Sequence, residues 1–220
     1  MKVYTLPGFS PVAAHQPGAQ VIRLKAEDLG TSLFTNDAAF DRQYPEHFQM
    51  LSPKHWTPLA VAHIAAGFLA ESGARVLDIG SGVGKFCLAA GFYFSETYFY
   101  GVEQRQELIY LAEEAKQSTR LFNVNFIYAN ITQVNFKEFD HFYFYNSFYE
   151  NIDTTNQIDD TIEISEGLYT YYTQYLHSAL DEKPAGTRLV TFHSLEQEIP
   201  SSYKLAAVAC NALLKMWIKA

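Results

Sequence analysis

The sequence predicts an α/β fold: a doubly wound, mostly parallel sheet with helices on both faces. Three observations carry this expectation. From Thr57 onward, apolar runs of strand length alternate with stretches whose apolar residues recur at helical spacing. One of those runs leads straight into a glycine-rich turn and then into a helical pattern. With 48% hydrophobic residues in a chain of 220, one domain can bury a sizeable core. Strands joined by helical crossovers pair in parallel, and right-handed crossovers then place helices on both faces.

The elements follow in order. Residues 1–56 contain Pro7, Pro11, Pro17, Pro45 and Pro53 and show no strong periodicity. They read as an N-terminal capping segment ahead of a main domain at 57–220, with a short helix near Asp37–Gln43. Tyr44-Pro45 is either a lid turn or a helix stop. Thr57 can act as N-cap, with Pro58 in the first turn. Val61, Ile64, Ala65, Phe68 and Leu69 then share one helical face, and Gly73 stops the helix. "RVLDIG" (75–80) is a buried strand, and a helix starts near Gly84. "TYFYGVE" (97–103) is the next strand, followed by a helix marked by Leu108, Leu111, Ala112 and Ala115. "VNFIYA" (124–129) and "HFYFY" (141–145) are two more strands. Ile164, Leu168, Tyr171, Tyr172 and Tyr175 form a helical stripe, and "TRLVTFH" (187–193) is a fifth strand. The tail from Ser202 is ambiguous: its alanines favour helix, whereas Asn211 suits a turn between two strands.

Composition narrows the function. The net charge is −8 and no basic run appears, so no nucleic-acid partner is expected. Cys87 and Cys210, the two cysteines, sit in apolar surroundings and read as buried thiols rather than a disulfide. The seven histidines make no HxxxH, HxH or Cys/His cluster, so no metal site is expected. Neither a signal-peptide pattern nor an apolar run of membrane-spanning length is present, and the expectation is a soluble, cytoplasmic protein.

The sharpest motif is "VLDIGSGVGKF" (76–86). Gly80, Gly82 and Gly84 follow the strand at alternate positions, where backbone must turn tightly and touch a ligand directly. The dinucleotide fingerprint G-x-G-x-x-G differs in spacing and holds a pyrophosphate. Here a carboxylate, Asp78, precedes the first glycine. It would repel a pyrophosphate and favour a cationic nucleoside. Glu103, ending the next strand, can accept both hydroxyls of a ribose. Asn130, after the third strand, can offer its side-chain oxygen to an adenine amino group. A dinucleotide enzyme or a non-catalytic relative of such folds is the competing reading.

From Thr57 onward the chain resembles the class I S-adenosylmethionine-dependent methyltransferases. "VLDIGSGVG" is similar to their glycine motif, "GVE" (101–103) to their ribose-binding acidic residue, and "NIT" (130–132) to their adenine-binding loop, where Asp is commoner than Asn130. The resemblance implies a seven-stranded Rossmann-like sheet with a closing antiparallel hairpin, hence strands near 203–208 and 213–219. It implies S-adenosylmethionine as cofactor, held by Thr57, Asp78, Gly80, Ser81, Gly82, Gly84, Glu103, Gln104, Asn130, Ile131 and Asn146.

The aromatic stretch "FDHFYFYNSFYEN" (139–151) bears on the reaction. It reads as core up to Tyr145 and as site from Asn146. Its Asn146-Ser147-Phe148 resembles the Asn-Asn-Phe of the disruptor-of-telomeric-silencing lysine methyltransferases, and "HWT" (55–57) occupies the place of their Gly-Glu-Thr. The long basic segment of that family is absent. Asn-Pro-Pro-Tyr in amino methyltransferases shares the Asn and the Tyr. The implied reaction is methyl transfer to an acceptor, foremost an amino nitrogen such as a protein lysine. The alternatives are a small-molecule acceptor and a catalytically inactive, cofactor-binding partner protein. Asn146 would aim the amine through its carbonyl, and Tyr149 is the second catalytic candidate. Phe148, Tyr149 and Trp56 would wall the acceptor pocket, where aromatic faces suit a sulfonium. His55 lines the entrance or packs on the surface. Lys85 belongs to the loop helix rather than to the chemistry.

Overall fold

A computed structural model describes residues 32–153, 155 and 157–220, together with the backbone of Ser10 and Pro11. The rest of the 1–31 portion of the predicted capping segment lies outside the described residues. The strands are β1 (Ser10–Pro11), β2 (Arg75–Ile79), β3 (Tyr98–Glu103), β4 (Val124–Tyr128), β5 (His141–Phe144), β6 (Arg188–Phe192), β7 (Tyr203–Ala209) and β8 (Leu214–Lys219). The α-helices are α1 (Asp37–Asp41), α2 (Glu46–Gln49), α3 (Ser52–His55), α4 (Leu59–Leu69), α5 (Lys85–Tyr93), α6 (Gln106–Thr119) and α7 (Glu166–Asp181).

One sheet runs in the order β1-β7-β8-β6-β5-β2-β3-β4. β2 to β6 are parallel, and β8 lies antiparallel between β6 and β7. The seven predicted strands are all present; the two-residue β1 adds an edge pairing on β7. Residue alternation sorts the core into two layers. Val76, Tyr143 and Val190 face the cluster that holds α4, α5 and α6. Leu77, Phe142, Phe144 and Leu189 face the cluster that holds α7. Tyr143 stacks on Phe86 at 3.8 Å and Phe142 on Phe136 at 5.1 Å. Each such ring contributes about 1.5–3 kcal/mol by leaving water, which is why a strand this aromatic belongs at the centre of the sheet.

Several expectations need correction. Thr57 is not the cap of α4. The helix begins at Leu59 after Pro58, and the Thr57 hydroxyl instead pairs with the Tyr143 hydroxyl at 2.9 Å. α4 ends at Leu69, four residues before Gly73, which turns the following loop at φ +78°. Ile164 precedes the Ser165 N-cap of α7, and the buried stripe is Tyr172, Leu176 and Leu180, while Tyr171 is exposed. The tail is a hairpin. Cys210, Asn211 and Ala212 take left-handed φ values of 52°, 55° and 66° to make its turn. The alanines of β7 adopt strand because β8 has an exposed ladder to complete, so tertiary pairing overrides helix propensity.

Residues 33–56 do not stand apart. Phe34, Phe40, Tyr44, Phe48 and Trp56 share one core cluster with α4 and α5. The Tyr44 hydroxyl donates to the Val83 carbonyl at 3.0 Å, so Tyr44-Pro45 is an anchored turn between α1 and α2 rather than a lid. Lys85, only 2% exposed, donates from Nζ to Asp37 and Asp41 at 2.8 and 2.7 Å, bolting this segment to the start of α5.

Candidate functional site

A cavity of about 490 Å³ opens at the carboxyl ends of β2, β3, β5 and β6. The chain runs from β2 outward through β3 to β4, and from β5 the other way to β6. The cavity therefore sits at the switch point, where open α/β sheets bind ligands. Gly80, Gly82, Glu103, Gln104, Asn130, Ile131, Asn146, Phe148, Tyr149 and Trp56 all line it. Thr57, Asp78, Ser81 and Gly84 do not.

The glycine loop is shaped by contact as well as by φ. Gly80 lies at φ +73°, and a Cβ there would meet the Ser147 Cβ at 2.5 Å. Ser147 in turn donates its hydroxyl to the Ile79 carbonyl. The loop thus presses against the end of the aromatic strand, placing the glycine-loop and β5 sides of the cavity side by side. At Gly84 a Cβ would strike the Phe126 ring at 2.3 Å, so that glycine serves helix packing rather than ligand contact.

Glu103 is 6% exposed, and burial raises its pKa while backbone donors oppose the shift. Its Oε1 accepts from the Gln104 and Arg105 amides at 2.8 and 2.9 Å, and its Oε2 from the Gly82 amide at 3.2 Å. A carboxylate has about four acceptor sites, so capacity is left on Oε2 toward the cavity. Asn130 departs from expectation. Its Oδ1 accepts from the Thr132 amide and hydroxyl, capping a short 3-10 helix at Ile131–Gln133, and is therefore committed. Its Nδ2 donates to Gln104 Oε1 at 2.9 Å and to the Tyr172 hydroxyl at 2.8 Å. Val102, Ala129 and Ile131 supply the apolar slot beside it.

Asp78 is corrected too. It is 4% exposed and faces Cys87, whose Sγ donates to Oδ2 at 3.5 Å. Burial pushes its pKa up to about 8, with Glu103 adding to the rise. Burial thus favours its neutral form, and its carboxyl lies between β2 and α5 rather than in the cavity wall. Ser81 is half-buried, with its side chain against Gly101 of β3.

The β5 side of the cavity starts one residue earlier than expected, because Tyr145 lines it and donates its hydroxyl to the Lys54 carbonyl at 3.0 Å. Asn146 takes φ +42°, a left-handed value that Asn tolerates, and its carbonyl accepts from the Tyr149 amide at 3.0 Å. Phe148 is buried against Phe144 and Tyr172, while Tyr149 is 41% exposed. Trp56 is buried edge-on to Tyr44. His55 lines the cavity, and burial lowers its pKa. Two residues escaped sequence reading. His193 sits at φ +55° beyond β6, against Phe192 and Tyr145, and its pKa too is lowered by burial. Arg105 follows Glu103 by two positions and is buried among carboxylates. A left-handed non-glycine at a strand end leaves no mark in composition; Arg105 was visible only as a charge next to a motif.

The fold and this site define a nucleoside-binding α/β domain. The chain belongs to the methyltransferase-domain family, whose model matches residues 70–203. It is a class I domain that uses S-adenosylmethionine. No curated protein matches the sequence. Among solved structures, TrmN from Thermus thermophilus aligns over 79% of this chain at 20% identity with a TM-score of 0.55. This chain spans 52% of the Thermus chain. An RNA methyltransferase from Salinibacter ruber, solved with S-adenosyl-L-homocysteine, aligns over 74% of this chain and 92% of its own at 16% identity, TM-score 0.50. A precorrin-6y C5,15-methyltransferase from Geobacter metallireducens aligns over 76% and 92% at 12% identity, TM-score 0.52. These likenesses concern the fold. The residues present fit the cofactor: Gly80 and Gly82 bare their backbone in the cavity wall, Glu103 retains acceptor capacity, and an apolar slot adjoins Gln104.

Proposed function

We propose that this chain transfers a methyl group from S-adenosylmethionine to an amino nitrogen, on a protein lysine or a small molecule. The observation that carries the reading is Asn146: a half-buried amide in left-handed conformation, on the cavity wall between the glycine loop and Phe148-Tyr149. The similarity of Asn146-Ser147-Phe148 to the lysine methyltransferase motif supports the same acceptor class. The cofactor, when bound, supplies an electrophilic methyl on a sulfonium. Glu103 holds the ribose, and Val102 and Ile131 flank the base. Asn146 accepts a hydrogen of the incoming amine and fixes the direction of its lone pair, since an in-line displacement depends mainly on positioning. Phe148 and Tyr149 exclude water. His55 and His193 line the same cavity, and burial biases both toward the neutral form that a proton acceptor needs.

The test is transfer of label from the cofactor across a cell extract, followed by Asn146→Ala on the product so identified. Label is expected in protein or in a small amine, and the variant should lose at least ~10²-fold in turnover with cofactor binding nearly kept. Label confined to nucleic acid, or a fully active variant, would overturn the reading.

A further inference from the structure

Arg105 joins the two ends of the cavity. Its backbone N–H donates to Glu103 Oε1 at 2.9 Å. Its guanidinium forks onto Glu150, Nη1 to Oε1 at 2.8 Å and Nη2 to Oε2 at 2.9 Å. Its Nε donates to Asp159 Oδ1 at 3.0 Å. Asp159 is itself held by the Thr161 amide and hydroxyl. Glu150 adjoins Tyr149 in the 3-10 turn Tyr149–Asn151, so the fork holds this turn of the cavity wall through Glu150.

A buried ion pair of this kind contributes little net stability compared with apolar packing of the same volume. What a bidentate fork contributes is orientation, because a planar guanidinium accepts a carboxylate in few geometries. The three interactions therefore transmit position. Glu103 Oε1 fixes the backbone of residues 104–105, that backbone aims the guanidinium, and the guanidinium aims Glu150 and Asp159.

We infer that Arg105 is a positioning residue that couples occupancy of Glu103 by the cofactor to the ordering of the acceptor wall at Tyr149–Asn151 and of Asp159. The inference rests on the roles given above to Glu103 and Tyr149. A ribose diol drawn onto Glu103 immobilises the carboxylate, and the gain in order passes through Arg105 to Tyr149–Asn151. Cofactor binding then precedes and prepares acceptor binding, and by reciprocity a bound acceptor tightens the cofactor.

The experiment is hydrogen exchange on the full chain with and without S-adenosylhomocysteine, alongside calorimetry. In the wild type, the product nucleoside should slow exchange about fivefold or more at Tyr149–Ile152 and around Asp159–Thr161. In Arg105→Gln it should still bind, but slowing should be confined to the glycine loop and the end of β3. A merely structural Arg105 would loosen the segment equally with and without ligand. Should Arg105→Gln fail to fold, Glu150→Gln, which leaves the arginine with Asp159, should show the same loss of ligand-dependent slowing. Equal slowing in variant and wild type, or none in the wild type, overturns the coupling. Calorimetry that finds no binding by the wild type overturns the cofactor assignment itself, and the two failures are told apart.

Discussion

A carboxyl group with almost no access to water, Asp78, ends its side chain on a thiol inside the sheet. Burial raises its pKa to about 8, whereas an unfolded aspartate titrates near 3.8. Between those values the folded chain keeps a proton that the unfolded chain has released. Unfolding then releases a proton, so stability is highest below the unfolded value and falls as pH rises through this window, by up to ~1.4 kcal/mol per pH unit. Above the folded value both forms are ionised and the loss is complete. Asp78→Asn should gain relative to the wild type steadily from pH 5 to pH 8 in urea denaturation, while changing cofactor affinity less than Glu103→Gln. A pH-independent difference between the two proteins would show that Asp78 is ionised in the folded state. This residue also marks a limit of sequence reading. Its spacing from Gly80 was legible, but spacing does not tell whether a side chain at a strand end faces the ligand or the sheet. That Glu103, Gly80 and Gly82 line the cavity was legible from their places at strand ends; the commitment of the Asn130 oxygen to a cap was not.

At the scale of elements, the glycine loop offers a controlled comparison. Gly73 and Gly80 have nearly the same backbone, φ +78° and +73°. A Cβ on Gly73 meets nothing within 4 Å, whereas one on Gly80 meets Ser147 at 2.5 Å. Gly73→Ala should cost only the left-handed strain, about 1–2 kcal/mol. Gly80→Ala should add about 1–3 kcal/mol of overpacking and impair cofactor binding, because Ser147 anchors the start of the acceptor wall. Equal losses in chemical denaturation would mean that the loop can move off β5 without consequence. The same elements explain what could be read in advance. β2, β5 and β6 announced themselves as apolar runs, since strands buried on both faces carry no polar alternation. α7 was legible as a helix, yet its buried stripe was displaced, because tyrosines fit an apolar pattern whether their rings face core or solvent. The closing hairpin was hidden by its alanines, and the resemblance, not the local propensity, located it.

At the scale of the whole molecule, a buried lysine ties the segment at 33–56 to the sheet domain, alongside their shared aromatic core. Lys85 sits at the first turn of α5 and reaches Asp41 and Asp37 of the preceding segment, with Ser52 at 3.2 Å. Lys85→Met should strand the buried Asp41 and cost about 3–5 kcal/mol, and adding Asp41→Asn should recover part of the loss. If the double variant is no more stable than the single one, residues 33–56 are held by their aromatic core alone.

Charge sets the molecule's behaviour toward large partners. The formal charge is −8; Arg105 in the cavity wall is buried and paired with carboxylates, and Lys54 is an exposed lysine on the same wall. Nucleic-acid affinity at physiological salt comes largely from cations that neutralise phosphates and release counterions. One structural neighbour acts on RNA, so fold alone does not decide the matter. The net charge of −8 carries the expectation: the field of an acidic chain favours an ammonium over a phosphate backbone. Duplex DNA or RNA should therefore show no submicromolar binding in gel shifts at physiological salt. Tight binding that weakens steeply as salt is raised would reveal a folded basic face and would move the acceptor from amines to nucleic acid.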